Sequence, residues 1–417
     1  MKDRIFFGWW VVLAAALGLA TGIASVNLFS FGIFQKPLMA EFGWSRTEIS
    51  VVLAVGTTVT VFTSPFIGTL VDRFGTRRVA LPSIVAIGLA FVSLYWLTPN
   101  LWHYYFVFAL IPIIGAGTSS VAYARIVSRW FDRRRGLALG AALAGVGLGG
   151  AVIPRYSQWL IDEFGWRGGY VGIGLMSLCV TLPVAWLCLR DSPERLGLQP
   201  DGDPVPHEHA TSRALLGLSR AEALRSRSFW LMIVTFLVLG AAIGGVMLQL
   251  VPILVERGVS PVTAASIYSA LGASIVVGRL AAGALMDRFH APRVAIGFLL
   301  GPIIGVTLLA TGATGAGAVL AAILLGLAAG AEVDVIAYLV GRYFGTRAYG
   351  EIYGYQYAVW VLGAGFAPVL TAAVFDLTGS FDPALWGYVG CFVAASILLG
   401  RLGPYPVMDD ALGTAPR

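Results

Sequence analysis

The sequence predicts an all-α membrane protein: twelve transmembrane helices in two six-helix bundles related by an internal repeat. Three observations lead there: an apolar composition, regularly spaced apolar runs, and a second half that echoes the first. Hydrophobic residues make up 58% of the 417-residue chain and charged residues only 12%, with a mean hydropathy of +0.81. A soluble domain carries about 25% charged residues, so this chain has half the charge that water would demand. Crossing a bilayer takes about 20 apolar residues as a helix. Such runs recur at 6–34, 47–71, 79–98, 102–126, 137–160, 168–189, 229–255, 262–286, 292–312, 315–341, 349–375 and 384–402. They are continuously apolar rather than alternating, which excludes a transmembrane β-barrel. The first run is too long for a cleavable signal, lacks a small-residue cleavage site and is followed by eleven more, so it reads as a span.

The net charge of +6 does not point to nucleic acid, because the arginines crowd into alternate loops. Arg73, Arg77 and Arg78 form one cluster, Arg129 with Arg133, Arg134 and Arg135 a second, and Arg190 to Arg227 a third. Arg288 with Arg293 and Arg342 with Arg347 complete the set, while the loops between are nearly neutral. Positive loops stay in the cytoplasm, so both termini are expected there, in a bacterial inner membrane. Trp96, Trp102, Tyr104 and Tyr105 bracket the loop between spans three and four, where an interfacial aromatic belt is expected.

The chain divides in the middle. The only long polar stretch, 190–227, separates an N-terminal six-span bundle (1–189) from a C-terminal one (228–402), with a short cytoplasmic tail at 403–417. The halves echo each other: Gly68-Thr-Leu-Val-Asp72-Arg73-Phe-Gly75-Thr-Arg77-Arg78 follows span two, and Gly283-Ala-Leu-Met-Asp287-Arg288-Phe289 follows span eight. Arg129-Trp130-Phe131 and Arg342-Tyr343-Phe344 correspond in the same way after spans four and ten. Duplicated sets of spans mark alternating-access transporters, whose site lies between repeats near the midplane.

Arg279 is the only charged residue between Ser260 and Met286. A mid-membrane arginine costs about 2.5–3.5 kcal/mol even on the mildest scale. Its flat fork of donors matches a carboxylate and never loses its charge, so an anion site is expected; the alternative is a structural pair with Glu332 or Asp334. Those two acids lie near the middle of span ten, about 200° apart on a helix, so they cannot share one cavity. Asp334 shares its face with Tyr338, whereas Glu332 shares one with Leu325, Ala328 and Leu339. Asp334 is therefore placed toward the cavity and Glu332 in packed protein, and either is a candidate to carry a proton. Tyr338 with Asn27 and Leu28 of span one complete the expected substrate-binding set.

Asp72 and Arg73 with Arg77, and Asp287 with Arg288, are expected to gate the inner face through ion pairs that break on opening. Gly145 and Gly149 form a small-xxx-small pattern that permits close helix approach. Arg125 is expected to snorkel to the interface; Arg155 follows Pro154 and is left open. Tyr353, Tyr355, Tyr357 and Trp360 either line the cavity or pack. Cys179, Cys188 and Cys391 all fall inside spans, as small core residues rather than a disulfide framework. His103, His207, His209 and His290 fall in loops or at span ends, and neither a Walker loop nor a metal-ligand spacing occurs. No enzyme, cofactor or metal is expected.

Gly68–Arg78, with its shortened copy after span eight, resembles the cytoplasmic loop signature of the major facilitator superfamily. Arg129 to Gly140, Phe164-Gly-Trp-Arg167, Val277-Gly-Arg279, Ala331 to Tyr338 and Arg342-Tyr-Phe-Gly345 resemble the monocarboxylate-porter-like branch. Two departures matter. Carriers of that branch have a span-one lysine and an aspartate one turn before the span-eight arginine; here the lysine is absent until Lys36 and Ile275 holds the second position. Related oxalate carriers have a second cation on span eleven, and here that span holds only Glu351 near its start, which favours one carboxylate over two. The resemblance implies a monomeric proton-coupled carrier of a small organic monocarboxylate such as lactate or pyruvate, with the anion and the proton as its partners. The alternatives are an anion exchanger or exporter of amphiphilic compounds and, from a different class, a non-transporting membrane sensor.

Overall fold

The computed structural model describes residues 6–202 and 217–406. His207, His209 and the linker and tail residues at 203–216 and 407–417 lie outside the described residues. The order is α1 (Gly8–Ala20), α2 (Ile23–Phe42), α3 (Arg46–Phe74), α4 (Thr76–Ser93), α5 (Leu101–Ile114), α6 (Ser120–Trp130), α7 (Arg135–Leu143), α8 (Gly145–Met176) and α9 (Leu182–Cys188). After the linker come α10 (Arg220–Arg225), α11 (Arg227–Glu256), α12 (Pro261–Met286), α13 (Ala291–Ala310), α14 (Gly315–Phe344), α15 (Tyr349–Thr378) and α16 (Asp382–Gly400). The only extended pairing among the described residues is an isolated bridge between Gly217 and Gly345.

Among the described residues, ten segments are long and apolar enough to span a membrane, against the twelve read from the sequence. The difference lies in breaks. The segment Arg135–Cys188 holds two crossings, because Gly165 (φ +70°) reverses the chain. Tyr156 donates to the Gly172 carbonyl at 3.2 Å, which a straight helix would place about 24 Å away. Span four is divided between α5 and α6 by the glycine-containing stretch at 115–119. Span one is likewise broken at Thr21 and Gly22, between α1 and α2.

Those two breaks face each other. The Ile23 amide donates to Thr118 Oγ1 at 3.2 Å, and a Cβ on Gly22 would fall 2.8 Å from the Thr118 carbonyl. Non-helical backbone at membrane depth survives only where protein buries it, and each break buries the other. The small-residue expectation on α8 also holds: a Cβ on Gly145 would meet the Ala16 carbonyl at 2.0 Å, and one on Gly149 the Ala20 carbonyl at 2.5 Å.

Several sequence expectations change. Tyr104 is buried in an aromatic cluster with Trp44 and Phe108 rather than lying in a belt, although Trp96 and Trp102 are exposed as expected. The cysteines are free but not core residues: Cys179 is exposed, on the π-helical turn at 177–181, and the other two are half-buried. Arg155 is exposed on α8.

Candidate functional site

Two matching contacts, here called clasps, join the halves of the chain at the ends that carry the arginine-rich loops. In each, a glycine and an aspartate four residues later end one helix: Gly68 and Asp72 on α3, Gly283 and Asp287 on α12. Each aspartate reaches the N-terminus of a helix in the opposite half of the chain. The amides of Gly350 and Glu351 on α15 donate to Asp72 at 3.1 and 2.9 Å. The amides of Gly136 and Leu137 on α7 donate to Asp287 at 2.6 and 2.9 Å. A carboxylate there satisfies amides that have no intrahelical partner and meets the positive end of the helix dipole. The glycines allow the approach, since a Cβ on Gly68 would lie 2.1 Å from the Gly350 carbonyl and one on Gly136 2.2 Å from that of Gly283. Burial pushes the Asp287 carboxyl above its usual range, with the two amides pulling against it.

The other gating expectations need correction. Arg73 is exposed, its guanidinium 5.2 Å over the ring of its neighbour Phe74, and Arg288 is also exposed. One residue beyond Asp72 on a helix is about 100° round from the interface. Arg77 turns into its own bundle and donates to the Trp186 carbonyl at 2.9 Å. The missing counter-ion is Arg125, whose Nε donates to Asp72 Oδ1 at 2.6 Å and whose Nη2 reaches the Asp72 carbonyl at 3.2 Å. Arg125 does not snorkel. Every residue from Ser120 to Ser128 on α6 is buried, so its side chain has no path to the interface. Asp72 needed a cation from another helix, and that requirement was the one available sign of Arg125's role.

Toward the membrane centre, α12 and α14 cross in close contact. A Cβ on Gly330 would lie 2.1 Å from the Ile275 carbonyl. One turn further along both helices, Arg279 Nη1 stands 3.4 Å from Asp334 Oδ1. Both side chains are buried, at 9% and 0% exposure. The contact is an ion pair by distance, yet neither Asp334 oxygen completes a hydrogen bond. The first half of the chain supplies the opposite wall: a Cβ on Gly140 of α7 would lie 2.8 Å from the Arg279 carbonyl and 3.5 Å from Asp334 Oδ2. The pair therefore sits where the two bundles meet. Tyr353 and Tyr357 of α15 are buried within electrostatic reach of the guanidinium, and the Tyr353 hydroxyl has no partner.

The remaining candidates scatter. Tyr338 is not with the pair: its hydroxyl donates to the Met286 carbonyl at 2.8 Å, about 10 Å along α12 from Arg279. Asn27 keeps a buried, unpartnered Oδ1 on α2. Leu28 lies on α2, and its side chain is outside those described. Glu332 points away from Arg279 into a cavity of about 20 Å³ inside the second half, walled by Phe236, Leu239, Leu299, Ala328 and Val335. Its nearest polar neighbour is the Trp360 indole N–H, which approaches the carboxyl without completing hydrogen-bond geometry.

Residues 17–368 match the family model of the Major Facilitator Superfamily. The chain belongs to the Major Facilitator Superfamily. It is 28% identical to monocarboxylate transporter 13 of Bos taurus, over 93% of this chain and 87% of that protein. It is also 28% identical to monocarboxylate transporter 11 of Mus musculus, over 90% of this chain and 83% of that one. The proton:xylose symporter XylE shares the fold at a TM-score of 0.74 and 17% identity, over 96% of each chain. This facilitator is a multi-pass membrane transporter that resembles the monocarboxylate branch, and not an enzyme.

Proposed function

We propose that this facilitator carries a small organic monocarboxylate together with a proton, with Arg279 as the anion site and Asp334 as the proton site. The observation that carries the reading is the loose pair at the bundle interface. Its charges are 3.4 Å apart, but the carboxylate has no hydrogen bond to give up. Asp334 then stands where a substrate carboxylate would stand. Protonating it releases the guanidinium fork, and an incoming carboxylate takes its place, so anion and proton enter as a neutral set. With substrate gone, Asp334 loses its proton and pairs again with Arg279, which lets the empty carrier return. A buried guanidinium without either partner is costly, and that cost ties the return step to the proton.

The clasps at Asp72 and Asp287 hold one face shut while the other exchanges substrate, and rocking of the bundles breaks them. The arginine-rich face is the cytoplasmic one by the positive-inside rule, in a bacterial inner membrane, and the carrier works as a monomer. Similarity to monocarboxylate transporters along most of the chain supports the substrate class. Asp334 takes over the role that carriers of this branch give to a residue at the Ile275 position. The close crossing at Gly330 allows it, since it brings the acid on α14 beside the arginine on α12.

The deciding experiment is uptake of labelled lactate, pyruvate and larger monocarboxylates into proteoliposomes, with and without an imposed pH gradient. Accumulation driven by inside-alkaline pH and lost in Arg279→Lys supports the reading. Saturable uptake indifferent to the gradient would replace it with anion exchange.

A further inference from the structure

We propose that the outer groove between α4 and α9 binds an anionic phospholipid, with an acyl chain in the groove and the phosphate against Arg78 and Arg190. The groove has a volume of about 620 Å³, walled by Leu81, Pro82 and Val85 on one side and Pro183, Trp186 and Leu187 on the other. Trp186 and Leu187 are 59% and 65% exposed, so the groove opens outward to lipid and not toward the translocation pathway.

The sequence puts a cation at the end of both walls. Arg78, Leu81, Pro82 and Val85 follow helical spacing along one stripe of α4. Pro183, Trp186 and Leu187 share one face of α9; the chain turns extended at Leu189, and Arg190 folds back to donate to the Trp186 carbonyl at 3.1 Å. Apolar wall and basic rim are thus continuous, in the order in which a lipid presents its chain and phosphate. Basic pockets between spanning helices are where anionic headgroups bind.

The guanidiniums at the rim form no direct ion pair among the described residues, although Asp191 acts on Arg77 from a distance. Arg77 and Arg190 both donate to the Trp186 carbonyl, at 2.9 and 3.1 Å, and Arg77 also lies 5.2 Å over the Trp186 ring. Two guanidiniums on one acceptor repel each other, and a phosphate between the arginines relieves that. The nearest carboxylate, Asp191, is turned inward: it accepts the Arg77 amide at 2.8 Å, is 5% exposed and pairs with Arg195 at 3.6 Å. Among the described residues, no ion pair engages Arg77, Arg78 or Arg190.

The test is native mass spectrometry of the full chain titrated with dioleoyl phosphatidylglycerol or dioleoyl phosphatidylcholine. One phosphatidylglycerol should be retained in preference to phosphatidylcholine. The double variant R78Q/R190Q should weaken that binding about thirty-fold, at roughly one lipid–arginine contact for each lost charge, and leave phosphatidylcholine retention unchanged. Val85→Trp, which fills the groove and keeps the arginines, should remove the preference as well; if it does not fold, the double variant at the rim carries the test. Glycerol 3-phosphate alone should not compete. Equal retention of the two lipids, an undiminished preference in R78Q/R190Q, or full competition by glycerol 3-phosphate would each overturn the proposal. None of these outcomes depends on which substrate the carrier moves.

Discussion

Arg279 and Asp334 stand on different helices, yet their charges are 3.4 Å apart because Gly330 lets α14 press against Ile275 one turn earlier. The intimacy of that crossing decides what the arginine can do. An isolated guanidinium at this depth would need an anion at all times; one with a movable internal carboxylate can exchange partners.

Arg279→Ala is expected to abolish carboxylate uptake, and so is Arg279→Lys, which keeps the charge but loses the bidentate fork. The two should differ in stability. Alanine leaves Asp334 buried without its cation, which costs on the order of 3–5 kcal/mol, whereas lysine retains a partner. Adding Asp334→Leu to Arg279→Leu should recover most of the lost melting temperature without recovering uptake. Saturable uptake by the alanine variant would remove Arg279 from the site.

Asp334→Asn is expected to eliminate accumulation driven by a pH gradient while leaving exchange of substrate for substrate. The amide keeps the shape but cannot release a proton, and exchange does not require the empty carrier to return. Glu332→Gln separates the two acids, because Glu332 lines a small apolar cavity within the second half. It should leave both modes intact if Asp334 alone carries the proton. Full proton-driven accumulation in both single variants and in the double would make both acids structural.

The spans and the repeat were legible because each follows from one-dimensional signals: run length and a recurring Gly-x-x-x-Asp. Helical phase separates positions 332 and 334, but only the crossing of α12 and α14 shows which of the two acids stands beside Arg279. Breaks inside spans one and four were not legible, since Gly22 and Gly115 look like ordinary spanning glycines until each break is seen to bury the other. Tyr338 shares a face with Asp334, but a face runs the length of a helix, and only the crossing geometry shows that its hydroxyl reaches Met286 instead. Arg125 was misread for a related reason. Distance from a span end suggests snorkelling, and only the packing around α6 shows that no exit exists.

Arg125→Leu is expected to weaken the first clasp without dissolving it, because the Gly350 and Glu351 amides still hold Asp72. It removes the only side-chain cation that the described residues bring to Asp72. The variant should melt lower, and Asp72→Asn in the same chain should recover part of the loss by removing the uncompensated charge. Independent, additive effects of the two substitutions would show that the pair is not coupled.

The equivalence of the two clasps makes the last prediction specific. Gly68 meets Gly350 as Gly283 meets Gly136, with room for no side chain at either contact. Gly68→Ala or Gly283→Ala should therefore force the helices apart at the basic face and bias the carrier toward the state open there. Spin labels at Arg73→Cys and Arg347→Cys, both exposed and on opposite halves, would report it in a background lacking the three native cysteines. Wild-type protein should give a short, narrow distance distribution, and each alanine variant a longer and broader one of similar size, since the repeat gives the clasps equal standing. Unchanged distances in both variants would mean that the clasps do not hold the face shut. A change in one alone would mean that the sequence repeat is not matched by a mechanical one.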